Sequence, residues 1–314
     1  MIGQQARLTI GHVKRHVPPG SGLGESVAVM DIAQDFLLAH LNERGVFELV
    51  AFKGGTALRK VFAGHAGRFS TDIDLAAANP NQDRQGLAEL VAAESAVSLG
   101  PFSFHPRESR GRWRVGITSD LGDPEVSLKI DVGPPCWLAP TRRDFVALPT
   151  HQQYGFELPA LPCVTIEEIV AEKVARLTRT AAARDAADLL WIATTSPHSH
   201  LDRDLVRTLV VLKVWADNHG LGPTWPPALN PAPFEPGVWL SPRSQWDDEQ
   251  IGLLAQPPPA LDELERDLFA HYAWLRHQTE EQRRIGRAAA GDRTEVQRLL
   301  RTIVTASFGG DILY

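Results

Sequence analysis

Asp72 and Asp74 stand two positions apart in FSTDIDLAA, a stretch whose residue types suit a β-strand. Alternate side chains of a strand share a face, so both carboxylates point one way together with Ser70, and Ile73 and Leu75 point to the buried side. Two negative charges this close repel unless a cation neutralises them. A third carboxylate, Asp131 in SLKIDVG, is placed in the same manner: Leu128, Ile130 and Val132 make one face, Lys129 and Asp131 the other. If the two strands pair, Asp131 comes to roughly 5 Å from its cross-strand neighbour. Three hard oxygen ligands on a rigid sheet suit Mg²⁺, with Mn²⁺ as a substitute, completed by waters and substrate phosphates. A lone D-x-D on a strand is ordinarily a solvated face, so the case needs the third aspartate and the residues upstream.

Upstream, Lys53 runs into Gly54, Gly55 and Thr56. Glycine takes backbone angles closed to other residues and lets a ligand approach the main chain. A helix opening at Thr56 would offer free N–H groups and a positive dipole end to an anion. The glycine turn is therefore expected to grip a polyphosphate beside a metal held by Asp72 and Asp74. The chain has no GxxxxGK[ST] loop. GSGLGE, residues 20–25, lacks the preceding strand of a dinucleotide fingerprint. HSHLD offers His198, His200 and Asp202, but in a Ser/Pro-flanked loop without helical metal spacing.

These residues need elements to hold them. The pattern predicts a helix over 26–44 capped by Ser26, a strand over 46–52, and a short helix over 56–62 after the glycines. A strand over 69–77, a helix over 87–97 and a hairpin formed by RWRVGIT and VSLKIDV follow. Prolines punctuate 134–162. Thr165 and Glu168 then form a capping box, and the helical period continues to about Ile192. Residues 220–259, dense in proline and tryptophan, read as an ordered loop, and 261–305 as helical. The expected fold class is α+β: a mixed sheet flanked by helices over 1–150, then a mainly helical domain over 151–314.

A chain of 314 residues carrying a net charge of −6 is not coated in positive potential, so any nucleic acid must meet a local basic patch. Arg107, Arg110, Arg112 and Arg114, with Trp113 among them, form one such cluster; Arg142 and Arg143, and the run EQRRIGRAAAGDR, are others. Two isolated cysteines exclude a disulfide framework and suit a reducing compartment. No stretch is long and apolar enough for a membrane helix, and the first residues lack a signal-peptide core, so a cytoplasmic protein with no membrane partner is expected.

KGGTALRK, RFSTDIDL, LKIDV and EEIVAEKVARLTRTAAARDAADL together resemble the nucleotidyltransferase toxins of the AbiEii/AbiGii family, including the mycobacterial MenT toxins, within the DNA polymerase β-like superfamily. The resemblance implies a polymerase β-like core and transfer of a nucleoside monophosphate from an NTP to an acceptor. It also implies toxicity within a toxin–antitoxin system, a cognate antitoxin partner, and an RNA acceptor such as the tRNA 3′ end. On that pattern Asp72, Asp74 and Asp131 hold metal, and Lys53, Gly54, Gly55, Thr56, Arg68, Ser70, Lys173 and Arg176 meet the nucleotide. Lys173 and either Asp185 or Asp188 complete the catalytic set from the second domain. Nucleotidylation of a protein target, or a catalytically inactive binding module of the same fold, are the competing readings.

Overall fold

Residues 2–3, 5–17, 23–79, 82–122, 126–195, 200–221, 227–229, 234–241, 246, 253 and 260–309 are described in a computed structural model of the chain. His198 and the proline-rich 254–259 lie outside the described residues, as do parts of GSGLGE. The chain forms two compact units. The first comprises residues 1–135, 140–163 and 253–257, the second 136–139, 164–252 and 258–314.

The first unit is built on one eight-stranded mixed sheet of order β3-β4-β5-β6-β2-β1-β8-β7. Its strands are β1 (Val50–Lys53), β2 (Asp72–Ala77), β3 (Ser98–Leu99), β4 (Phe102–Ser109), β5 (Arg112–Ser119), β6 (Val126–Gly133), β7 (Thr141–Arg143) and β8 (Leu161–Cys163). β2 lies centrally, antiparallel to β1 and parallel to β6. Phe104, Val115, Ile117, Leu128, Ile130, Ile73 and Leu75 are buried on one face, which the helices α2 (Glu25–Glu43) and α4 (Arg84–Glu94) cover. Around Phe36 of α2, the rings of Phe102, Tyr154 and Phe156 pack at 4.8–5.2 Å. Such pairs add about 0.5–1.5 kcal/mol each beyond area burial.

Several boundaries depart from the sequence pattern. Gly24, not Ser26, precedes α2. Val46–Glu48 winds into a single 3-10 turn after Gly45 at φ 76°, so β1 begins only at Val50. β2 begins at Asp72 rather than Phe69, because Phe69 is drawn under the Arg59 guanidinium, 3.5 Å from its ring centroid. β4 was not anticipated, since it contains Pro106. The Phe104 amide donates outward to Val97 of the segment before β3, so residues of that parity turn their N–H away from β5. Pro106 therefore sits where no ladder hydrogen bond is lost.

The second unit is helical among the described residues. α5 (Ile166–Leu177) and α6 (Ala183–Thr194) are separate helices where one continuous period was expected. The turn between them carries Thr178, whose hydroxyl donates to the Ala175 carbonyl and ends the helix without glycine or proline. α7 (Arg203–His219) packs on α5, with α9 (Leu261–His271), α10 (Glu280–Gly286) and α11 (Arg293–Phe308) following the short α8 (Pro236–Trp239). Residues 136–139 join this unit because the Glu168 carboxylate accepts from the amides of Trp137 and Leu138 at 2.8–2.9 Å while pairing with buried Lys213 at 2.8 Å.

Candidate active site

Strand register puts the charged side chains of the first unit on the sheet face opposite the core. Lys53 on β1 faces Asp74 on β2, and Asp74 faces Asp131 on β6; one row along, Asp72 faces Lys129. Asp72, Asp74, Lys129 and Asp131 are all part-exposed, whereas Ile73, Leu75 and Ile130 between them are buried. The alternation read from the sequence thus holds, and the pairing of Asp131 beside the D-x-D strand with it. The Asp131 carboxylate is engaged by Lys129 in an ion pair.

The glycines also make room for side chains of the chain itself. Gly54 adopts φ 79°, and a Cβ there would stand 2.2 Å from Asp74 Oδ2. A Cβ on Gly55 would stand 2.3 Å from Arg68 Nη2. The pair makes room for a carboxylate and a guanidinium of the chain itself, pressed against the main chain. The helix that follows, α3 (Gly54–Ala57), is one α-turn that widens into π-type turns over Leu58–Ala63. Arg68 is buried and donates to the Phe69 carbonyl at 3.1 Å. Arg68 and Lys53 are thus both cations at this turn.

A buried polar network behind the site went unread in the sequence. Asp31 of α2 accepts from Arg59 Nε at 2.9 Å and Nη2 at 3.0 Å, and pairs with Lys60 at 2.8 Å and His16 at 2.6 Å. Arg59 donates in turn to the carbonyls of Gly64 at 3.1 Å and Gly67 at 2.5 Å. Gln34 holds the Ser70 carbonyl at 2.9 Å, and the Thr56 hydroxyl donates to the Asp72 carbonyl. Each bond fixes backbone leading into Asp72 and Asp74. Burial pushes the Asp31 carboxyl up, but Lys60, Arg59 and His16 outweigh it and hold it well below its ordinary range. The available signal was in α2 itself, where apolar residues continue around the helix on both sides of Asp31, Gln34 and Asp35.

In the second unit, Lys173 is buried rather than snorkelling, 3.0 Å from Asp185 and 2.7 Å from Asp188. Arg176 reaches Asp185 at 3.5 Å. Asp188 thus pairs with Lys173 across the turn between the helices. The break between α5 and α6 makes this possible, since residues 173 and 185 of one straight helix would be about 18 Å apart.

Two part-exposed carboxylates two residues apart on a strand fit a divalent ion that takes its remaining ligands from water and phosphates. With Asp131 turned to Lys129, no group of three His, Cys, Asp or Glu side chains among the described residues is assembled to hold a metal. Asp72 and Asp74 have the chemistry to hold a hard divalent ion, with Asp131 directly opposite Asp74 on β6.

Comparison with known proteins agrees with this architecture. The profile described as "Nucleotidyl transferase AbiEii toxin, Type IV TA system" matches residues 35–273. MenT4, a nucleotidyltransferase toxin from Mycobacterium tuberculosis H37Rv, superposes with a TM-score of 0.82 at 32% identity, over 94% of this chain and 99% of that one. A cytoplasmic RNA terminal U-transferase aligns at 13% identity with a TM-score of only 0.23, covering 86% of this chain and 72% of its own. No curated protein matches. With a family profile spanning most of its length and a near-complete structural match, the chain belongs to the AbiEii nucleotidyltransferase toxins of type IV toxin–antitoxin systems.

Proposed function

We propose that this nucleotidyltransferase moves a nucleoside monophosphate from an NTP to an RNA acceptor, the 3′ end of a tRNA, in a reaction requiring Mg²⁺ or Mn²⁺. Transfer to that end would block translation, and a cognate antitoxin protein would restrain it. The observation that carries the reading is Asp72 and Asp74 side by side on the open sheet face, next to Lys53, Arg68 and the Gly54 turn. A bound divalent ion would neutralise the triphosphate and orient its α-phosphate for in-line attack. Asp72 and Asp74 are the residues placed to hold it. Lys53, Arg68 and Ser70, with the turn through Gly54, Gly55 and Thr56, would bind the phosphates and the departing pyrophosphate.

In the transfer, the acceptor hydroxyl oxygen forms a bond to the α-phosphorus, and the α–β P–O bond breaks with its electron pair leaving on pyrophosphate. Asp131, once released by Lys129, would take the hydroxyl proton. The family resemblance adds Lys173, Arg176 and Asp185 or Asp188 to the nucleotide-handling residues. Lys173, Asp185 and Asp188 are buried as one ion-paired group within the second unit, with part-exposed Arg176 reaching Asp185, which supports a fixed geometry for them.

Incubation of the purified protein with each α-³²P NTP, total tRNA and total cell protein tests the proposal. Label should enter RNA, vanish with EDTA, and fall by at least about 10²-fold in Asp72→Ala. Label in protein and not RNA, or an Asp72→Ala protein with undiminished transfer, would refute it.

A further inference from the structure

The strand register of the first unit continues past the carboxylates. Asp72 on β2 faces Lys129 on β6, Lys129 faces Arg114 on β5, and Arg114 faces Arg107 on β4. Directly opposed residues in a sheet project from the same face. The row therefore runs Asp72, Lys129, Arg114, Arg107, with neighbouring strands about 5 Å apart and Arg107 about 14 Å from the Asp72 strand. Arg112 lies two residues from Arg114 on the same face of β5, opposite Ser109. Arg107, Arg112 and Arg114 are exposed, whereas Val115, Ile117 and Phe104 on the other face are in the core. At the tip, Arg110 at φ 54° and Gly111 at φ 72° form the tight turn that lets β4 and β5 extend as a ribbon.

We propose that this cationic row is the track on which the RNA backbone of the acceptor lies as its 3′ hydroxyl enters the carboxylate site. The assignment rests on the RNA-acceptor reading given above. Three arguments select the occupant. The cations form a line rather than a patch, as a strand of phosphates requires, and the line ends at the reacting carboxylates, where a 3′ terminus must arrive. Guanidinium groups match phosphate geometry. The net charge of −6 sets this row apart as a local attractor for a polyanion. Contacts of this kind carry no base code, so the track would bind RNA ends with little sequence preference, leaving selection of the acceptor to other residues.

The test is an R107Q/R112Q/R114Q variant, all three side chains being exposed and outside the metal and nucleotide set. Binding of a fluorescein-labelled oligoribonucleotide with a free 3′ hydroxyl is followed by anisotropy across a salt series, with the Kd for NTP and the circular dichroism spectrum measured alongside. The wild type should bind the RNA, and the variant should bind it at least about tenfold more weakly. Its log Kd–log salt slope should be smaller by about 2, three phosphate contacts at roughly 0.7 each, with NTP affinity and fold unchanged. Unchanged RNA affinity and slope in the variant overturn the track while leaving the acceptor reading intact. A wild type that labels protein but does not bind RNA overturns both. Poly-glutamate binding as tight as RNA binding would assign the face to an acidic protein and overturn the proposal.

Discussion

Gly54 and Gly55 are adjacent, yet their missing side chains serve different neighbours. A Cβ on Gly54 would collide with Asp74, and one on Gly55 with Arg68. The positive φ of Gly54 adds strain for any other residue, about 1–3 kcal/mol. The two substitutions should separate in kinetics. Gly54→Ala displaces Asp74, the carboxylate proposed to hold the metal, and should lower kcat by about 10²-fold, the cost an ångström's misplacement can bring. Gly55→Ala displaces Arg68, the cation proposed to meet the phosphates, and should act mainly on the KM for NTP. Steady-state label incorporation at varied NTP measures both. A Gly54→Ala enzyme with wild-type kcat would remove Asp74 from the reacting centre.

At the scale of elements, the strand-borne carboxylates were legible because a period of two fixes their face whatever the strand's neighbours are. The separation of α5 from α6 was not, since both carry the same helical period and a threonine hydroxyl, rather than glycine or proline, makes the break. That break decides what Lys173 can touch. The network of Asp31, Gln34 and Asp35 was legible only in part: apolar residues all round α2 mark the three as buried, but their partners Arg59, Lys60, Tyr154 and the Ser70 carbonyl arrive from distant segments. Lys173 provides the sharper test. Lys173→Met should cost about 3–5 kcal/mol in urea unfolding, because Asp185 and Asp188 would be left buried without their ammonium partner. The double replacement of Asp185 and Asp188 by Asn in the same background should recover part of that loss, which a lysine acting only by packing would not allow.

Across the whole molecule, the displaced ionisations set a pH window for stability, and several of them fall in the first unit. Asp31 is held well below its ordinary value, and Asp35 is lowered too, where Lys60 and His151 outweigh the effect of burial. A carboxyl depressed in the fold stabilises above its unfolded pKa, about 4, and that contribution is lost as pH falls through the folded value. His65 is lowered by burial, His16 and Arg59, so the folded state resists its protonation and stability begins to fall below about pH 6.5. On the alkaline side, burial pushes the Cys163 thiol up to about 12 and Tyr154 well above the usual phenol. Groups raised in the fold stabilise below their unfolded pKa, so loss begins near pH 9 as unfolded thiols ionise. Thermal midpoints should therefore be nearly level from about pH 6.5 to 9, decline gently below that range, and drop steeply under pH 4. Asp31→Asn should lower the unfolding free energy across the plateau, read by urea denaturation, by about 3–5 kcal/mol, since Arg59 and Lys60 lose their shared carboxylate, and should flatten the acid limb. An Asp31→Asn protein whose acid limb is as steep as the wild type's would show that the network around α2 does not control acid unfolding.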